Sequence, residues 1–142
     1  METWMITGVT GFLGPRVEAA LREKGEVEVL PMTREELNFT DEEQVKRVLG
    51  MLHPDVLVHA AAVSDTGACE RDPEGSWKVN VTGVEYLSKA CRENGTKLIF
   101  ASSDQVYTGS EVRTPHREDE ILTPANVYGR EKLEAERIVA NW

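Results

Sequence analysis

An open, doubly wound parallel sheet of the α/β class is the fold this sequence predicts, on three observations. Short apolar runs alternate with longer stretches whose apolar residues recur at helical spacing, the pattern of parallel strands joined by crossover helices. Gly8, Gly11 and Gly14 fall between the first apolar run and the first amphipathic stretch, where the first βα turn of a nucleotide-binding sheet carries its glycines. The run Val56-Leu57-Val58 lacks polar alternation, as a strand covered on both faces does. The 142 residues suffice for one domain with a core and fall short of two ordinary ones.

Residues 3–7 read as the first strand. After the glycine turn, Phe12, Leu13, Val17, Ala20 and Leu21 recur at helical spacing up to Gly25. Residues 27–30 form a second strand, stopped by Pro31. Thr40 with Glu43 gives a capping-box start for a helix carrying Val45, Val48, Leu49 and Leu52, and Pro54 marks its exit. Residues 55–60 make the third strand. A loop over 62–72 leads to a long helix over 73–94, with Gly95 as its stop. Residues 97–102 give the fourth strand. A polar loop over 103–122 follows, and its charge cluster at 117–120 reads as a solvated face. Thr123 and Pro124 supply an N-cap and a first-turn proline for a last helix running through Tyr128 and Lys132 toward Trp142. The expected strand order is 3-2-1-4 with right-handed crossovers on both faces, a Rossmann-like arrangement.

Composition excludes several classes of function. The 16 basic against 25 acidic side chains leave a formal charge of −9, which repels nucleic acid and anionic membranes at long range. An anionic cofactor is still permitted, because a helix N-terminus and a few local cations outweigh the mean field at one site. Cys69 and Cys91 form no redox or metal motif, and His53, His59 and His116 show no ligand spacing, so no metal is expected. No segment approaches the roughly 20 apolar residues of a membrane span, and the opening Met1-Glu2-Thr3-Trp4 lacks an export signal. A soluble cytoplasmic protein is the expectation.

The turn Gly8-Val9-Thr10-Gly11-Phe12-Leu13-Gly14 offers a tight backbone cradle for a pyrophosphate at the start of a helix. An NAD-preferring site carries Asp or Glu at the end of the second strand, on the ribose 2′-hydroxyl. Residues 30–34 contain no carboxylate, while Thr33 and Arg34 there suit a 2′-phosphate. NADPH is therefore the expected cofactor, with NADH the alternative. Tyr128 and Lys132, four apart, share a helix face. The ammonium is expected to lower the phenol pKa, so that Tyr128 can protonate a ketone oxygen as hydride arrives. Ser102, Ser103 and Asp104 leave the fourth strand where ligands gather in an open parallel sheet.

With these residues in place, the chain resembles the extended short-chain dehydrogenases, and among them the dTDP-4-dehydrorhamnose reductase family, which binds sugar nucleotides. The matching pieces are Ile6-Thr7-Gly8 through Gly14, Leu37-Asn38-Phe39-Thr40-Asp41, 54–62, Val79-Asn80-Val81-Thr82-Gly83, 102–107 and 126–133. By this resemblance Ser103, Tyr128 and Lys132 are the catalytic residues, and Lys132 also holds the nicotinamide ribose. Gly8, Gly11, Phe12, Leu13 and Gly14 form the cofactor loop. Ala60, Ala61 and Ala62 form the cleft wall, Asn38 and Phe39 line the adenine, and Ser102 borders the cofactor. Asn80 matches an asparagine that positions the lysine through water.

Dehydratases of related type carry Asp-Glu where this chain has Asp104-Gln105, and a glutamine cannot serve as their base. The implied reaction is reduction of a nucleotide-linked keto-sugar by NADPH. A non-catalytic or regulatory nucleotide-binding subunit, as in methionine adenosyltransferase, and an NAD-dependent sugar-nucleotide epimerase are the alternatives. Family members run to about twice this length, which places the later strands and the substrate lobe beyond these residues, so that the chain by itself can hold cofactor without turning over substrate. The fourth strand, with Leu98, Ile99 and Phe100, is then an open edge suited to pairing with another copy. Trp77 and Tyr86 on the long helix also suit an oligomer face.

Overall fold

A computed structural model describes residues 1–107 and 115–141. Residues 108–114 of the predicted polar loop, and Trp142, toward which the last helix is predicted to run, lie outside the described residues. Strand β1 (Glu2–Ile6) passes through the glycine turn into helix α1 (Leu13–Lys24). There follow β2 (Val27–Pro31), α2 (Glu42–Leu52) and β3 (Val56–His59). The second part holds α3 (Thr66–Arg71), α4 (Pro73–Trp77), a π-helical turn (Lys78–Thr82) and α5 (Gly83–Asn94). It closes with β4 (Lys97–Phe100), a 3-10 turn (Asp104–Val106) and α6 (Val127–Asn141).

All the strand pairings are parallel, as the sequence predicts. Met5 of β1 faces Leu30 on one side and Leu57 on the other, and Leu57 faces Leu98. The order is β2-β1-β3-β4, which corrects the expected 3-2-1-4. Burial supplies the reason. All four residues of β3 are buried, whereas β2 exposes Glu28 and ends on Pro31. A proline has no N–H for a ladder and tolerates an edge, while an apolar strand belongs where both faces and both sides are covered.

The crossover from β2 to β3 thus passes over β1, and the helices divide between the two faces. Val17 and Leu21 of α1 pack with Ile6, Val29, Val56 and Val58 on one face. Val45, Val48 and Leu49 of α2 and Leu87, Ala90 and Cys91 of α5 pack with Met5 and Leu57 on the other. Leu57 is fully buried, which is worth roughly 1.5–3 kcal/mol for a side chain of that size. No helix among the described residues is long and apolar enough to cross a membrane.

Four local expectations are corrected. Asp41, rather than Thr40, caps α2, its carboxylate accepting from the Glu43 and Gln44 N–H groups. The predicted 62–72 loop contains α3, because the Asp65 carboxylate accepts from Ala68 N–H and nucleates a turn. The long 73–94 helix is interrupted at the π-helical turn, where Gly83 N–H reaches the Lys78 carbonyl five residues back. Helix α6 begins at Val127, so Thr123 and Pro124 precede it. Its capping acceptor is the Asn126 carboxamide, 2.7 Å from Gly129 N. The Gly25 and Gly95 stops stand as predicted, both at positive φ.

Candidate active site

The carboxyl ends of β1 and β3 lie side by side where the direction of strand addition reverses, the position at which open α/β sheets bind ligands. A cleft of about 450 Å³ opens there. Into it the fold brings Gly8, Gly11, Phe12 and Leu13 from the glycine turn and Thr33 and Arg34 from the end of β2. Phe39, Ala60, Ala61 and Ala62, Ser102, Tyr128 and Lys132 complete the candidates that line it. Three predicted residues stand outside the lining. Gly14 lies beneath the turn, where a Cβ would collide with the Gly8 carbonyl. Asn38 is exposed and spends its side-chain oxygen on the Thr40 N–H and hydroxyl, while its own N–H meets the Gln44 carboxamide. Ser103 adjoins the cleft through Tyr128.

The turn is built for close approach. Gly8 has φ +72 and would place a Cβ 2.8 Å from the Ala60 carbonyl carbon, so no other residue fits without moving β3. A Cβ at Gly11 would meet only the Gly8 oxygen at 3.4 Å, which leaves that side open to a ligand. Thr7, just before the turn, is buried. Its hydroxyl oxygen accepts from Ala60 N at 3.1 Å and Ala61 N at 3.3 Å, and it stands 2.7 Å from His59 Nδ1. This single side chain ties the two strand ends together.

Across the cleft, α6 buries Tyr128, Gly129, Glu131, Lys132 and Ala135 along one stripe. Gly129 allows the helix to approach the 3-10 turn, since a Cβ there would strike the Gln105 carbonyl. The Gln105 side-chain oxygen in turn accepts from Asn126 Nδ2 at 3.1 Å. Burial raises the Tyr128 pKa, a hydrogen bond with Ser103 pulls it down, and the charges of Cys69 and Asp104 raise it. This corrects the expected depression by Lys132. The lysine Nζ donates to the Ala101 carbonyl at 2.7 Å and lies 4.4 Å from the centre of the Phe100 ring. Burial lowers its pKa to about 8, against the pull of Glu136.

Several residues of the site escaped the sequence reading. Glu131 is 1% exposed. Its carboxylate accepts from Ser76 Oγ at 2.8 Å and Asn80 Nδ2 at 3.2 Å. Asn80 also holds both backbone groups of Val63, accepting from its N–H at 2.9 Å and donating to its carbonyl at 3.0 Å. Asn80 thus anchors the cleft wall, and its bonds go to Val63 and Glu131. The signal was present, because Tyr128, Glu131, Lys132 and Ala135 fall at i, i+3, i+4 and i+7. The second omission is Glu36. Its carboxylate accepts from the Thr33 hydroxyl at 2.9 Å and its N–H donates to that hydroxyl at 3.3 Å. A carboxylate therefore does reach the end of β2, folded back from beyond the 30–34 window.

A glycine turn at the strand switch, with a buried Tyr and Lys on the same cleft, marks a Rossmann-like fold of the extended short-chain dehydrogenase class. Residues 2–142 match the model of the RmlD substrate binding domain, and the chain belongs to that family. It is 32% identical over 139 residues to a dTDP-4-dehydrorhamnose reductase of Aggregatibacter actinomycetemcomitans, covering 98% of this chain and 47% of the relative. It is 37% identical over 142 residues to methionine adenosyltransferase 2 subunit beta of Xenopus laevis, covering 95% of this chain and 42% of the relative. The crystal structure of dTDP-4-dehydrorhamnose reductase from Bacillus anthracis in complex with NADP superposes with a TM-score of 0.93 at 27% identity. That match covers 99% of this chain and 49% of the other. The chain spans about half the length of the relatives it matches.

Proposed function

We propose that this chain is the dinucleotide-binding portion of an NADPH-dependent reductase acting on a nucleotide-linked keto-sugar of the dTDP-4-dehydrorhamnose type. The observation that carries this reading is the buried Tyr128 phenol, beside Ser103, on the same cleft as the Gly8–Gly11 turn. The opening at Gly11 fits a pyrophosphate at the start of α1, and the names of the relatives supply the substrate class.

A bound nicotinamide would supply hydride to the carbonyl carbon. The chain's own part is to complete the alcohol. Ser103 orients the carbonyl oxygen by hydrogen bonding, and Tyr128 gives that oxygen its phenolic proton. Because burial keeps the proton on the phenol, Tyr128 is an acid in its resting state. Lys132, charged below about pH 8, binds the ribose hydroxyls.

A second reading has its own support in the 37% identity to a subunit named for a methionine adenosyltransferase. In that reading the cleft holds nucleotide without turnover. Titrating the purified chain with NADPH, then adding a dTDP-4-keto-6-deoxy sugar, separates them. Binding followed by NADPH oxidation, lost in Tyr128→Phe by about 10²–10⁴-fold, supports the reductase. Binding without oxidation favours the non-catalytic subunit when it persists in a chain carried to the full length of its relatives, and absence of binding overturns both.

A further inference from the structure

We infer that Gln105 is a positioning residue for the ketone reduction: its backbone N–H holds the Ser103 hydroxyl while its carboxamide holds the start of α6, so that one residue sets Ser103 against Tyr128. This rests on the reading of Ser103 and Tyr128 as the pair that meets the carbonyl oxygen. Gln105 lies outside the cleft lining and acts through those two.

The contacts form one chain. Gln105 N–H donates to Ser103 Oγ at 3.1 Å. Gln105 Oε1 accepts from Asn126 Nδ2 at 3.1 Å, across 21 positions of sequence. Asn126 Oδ1 accepts from Gly129 N at 2.7 Å, one residue past Tyr128, and the Gln105 carbonyl lies where a Cβ on Gly129 would fall. The donors fix how both carboxamides face. Because Asn126 Oδ1 is taken by an N–H, its Nδ2 turns to Gln105, which must then present oxygen.

The backbone bond to Ser103 needs only an N–H at position 105. The carboxamide is what glutamine adds, and it carries that turn to the helix of Tyr128. Glu70 gives α6 a second tether, accepting from Val127 N at 2.9 Å, but it reaches the helix from α3, whereas Gln105 reaches it from the turn that Ser103 caps. A serine hydroxyl has one proton and two lone pairs. With one lone pair engaged by Gln105 N–H, the oxygen is held in place, and its proton has only the long 3.4 Å contact to Asp104 Oδ1, which a carbonyl oxygen can displace. Gln105 is exposed, and an exposed hydrogen bond contributes little net stability. Its worth is in placement.

The test uses the whole chain with carbon-13 labelled tyrosine rings, read by NMR without any nucleotide. Gln105→Met keeps the length and loses the acceptor. Asn126→Ser keeps a cap for Gly129 but is too short to reach Gln105. Both should move the Tyr128 ionisation further upward, because the pull of Ser103 on the phenol weakens, and neither should shift the melting temperature by more than a few degrees. In Ser103→Ala, where that pull is already gone, adding Gln105→Met should move it no further. Amide exchange at Gly129 should accelerate about fivefold in Gln105→Met and return to the original rate in Gln105→Glu, which again offers Asn126 an acceptor. A phenol titration unmoved by Gln105→Met and Asn126→Ser, or moved equally with and without the Ser103 hydroxyl, overturns this inference whatever the nucleotide assays show. A phenol that responds as expected in a chain that binds no NADPH supports the positioning and overturns the reductase reading alone.

Discussion

The Thr7 hydroxyl oxygen and the His59 ring meet at 2.7 Å, Oγ1 to Nδ1, and the contact fixes which ring nitrogen carries a proton. Thr7 Oγ1 already accepts from the Ala60 and Ala61 N–H groups. A hydroxyl has one proton and two lone pairs, so that proton goes to Nδ1, and His59 is neutral with its hydrogen on Nε2. Nε2 has no hydrogen-bond partner among the described residues. The neighbouring rings are Phe39, edge-on at 4.8 Å, and Phe100, stacked at 6.2 Å.

Thr7→Val should therefore cost about 2–4 kcal/mol in denaturant unfolding, since it strands two amides and a ring nitrogen. Thr7→Ser, which keeps the hydroxyl, should cost under about 1 kcal/mol. Burial, reinforced by the Lys132 charge, lowers the His59 pKa from 6.5 to about 3. The unfolded chain thus binds the proton more readily. The stability owed to neutral His59 is complete above pH 6.5 and drains away as pH falls toward 3. Nitrogen-15 shifts of the ring should report the Nε2–H tautomer throughout the neutral range.

Lys132 titrates in the opposite range. Its folded pKa of about 8 lies below the ordinary 10.5, so between these values the folded state binds fewer protons than the unfolded. Its contribution to stability is complete above 10.5 and is lost as pH falls through about 8. Ligand binding follows the charge instead. NADPH affinity should weaken as pH rises through about 8, and Lys132→Gln should bind more weakly with that inflection abolished, as a titration series would read.

Glu131 is tested through its donors. Glu131→Leu leaves Ser76 Oγ and Asn80 Nδ2 without their acceptor and should cost about 2–4 kcal/mol. Glu131→Gln keeps one oxygen, and the Ser76 hydroxyl can rotate to suit, so the loss should be near 1 kcal/mol. Amide exchange at Val63, whose N–H is held by Asn80, should accelerate in the leucine variant and much less in the glutamine one.

Two glycines should respond to alanine with opposite signs. At Gly14 a Cβ runs into the Gly8 carbonyl, and the atoms it meets are backbone. Gly14→Ala should therefore lose about 2 kcal/mol or more, together with nucleotide binding. Gly50 lies inside α2 with nothing within 4 Å of an added Cβ. Gly50→Ala should gain about 0.5–1 kcal/mol, and melting curves on the two variants decide both signs.

What was readable in the sequence was whatever depends on local spacing. The glycine turn, the Gly25 and Gly95 stops and the shared face of Tyr128 and Lys132 follow from residue type and interval alone. The order of the strands was not, because the sequence window shows that β3 is apolar without showing which neighbours will cover it. Thr33 and Glu36 had the interval of a capping box, yet their importance appears only when that turn is set beside the cleft. The lysine was misread for a different reason. Helical spacing puts it near Tyr128, but the Ala101 carbonyl and the Phe100 ring, from a strand more than thirty residues earlier, decide where its nitrogen points.

The π-helical turn at Lys78–Thr82 has a consequence for how this chain tolerates change. One additional residue in the coil advances everything beyond it by about 100°. Ser76, upstream, and Asn80, inside the turn, are phased to meet Glu131; downstream, Leu87, Ala90 and Cys91 are phased to meet the sheet. Deleting any one residue between 78 and 82 would straighten the rod and force a choice between those two registers, so a change of length there should cost far more than a substitution at its exposed Lys78.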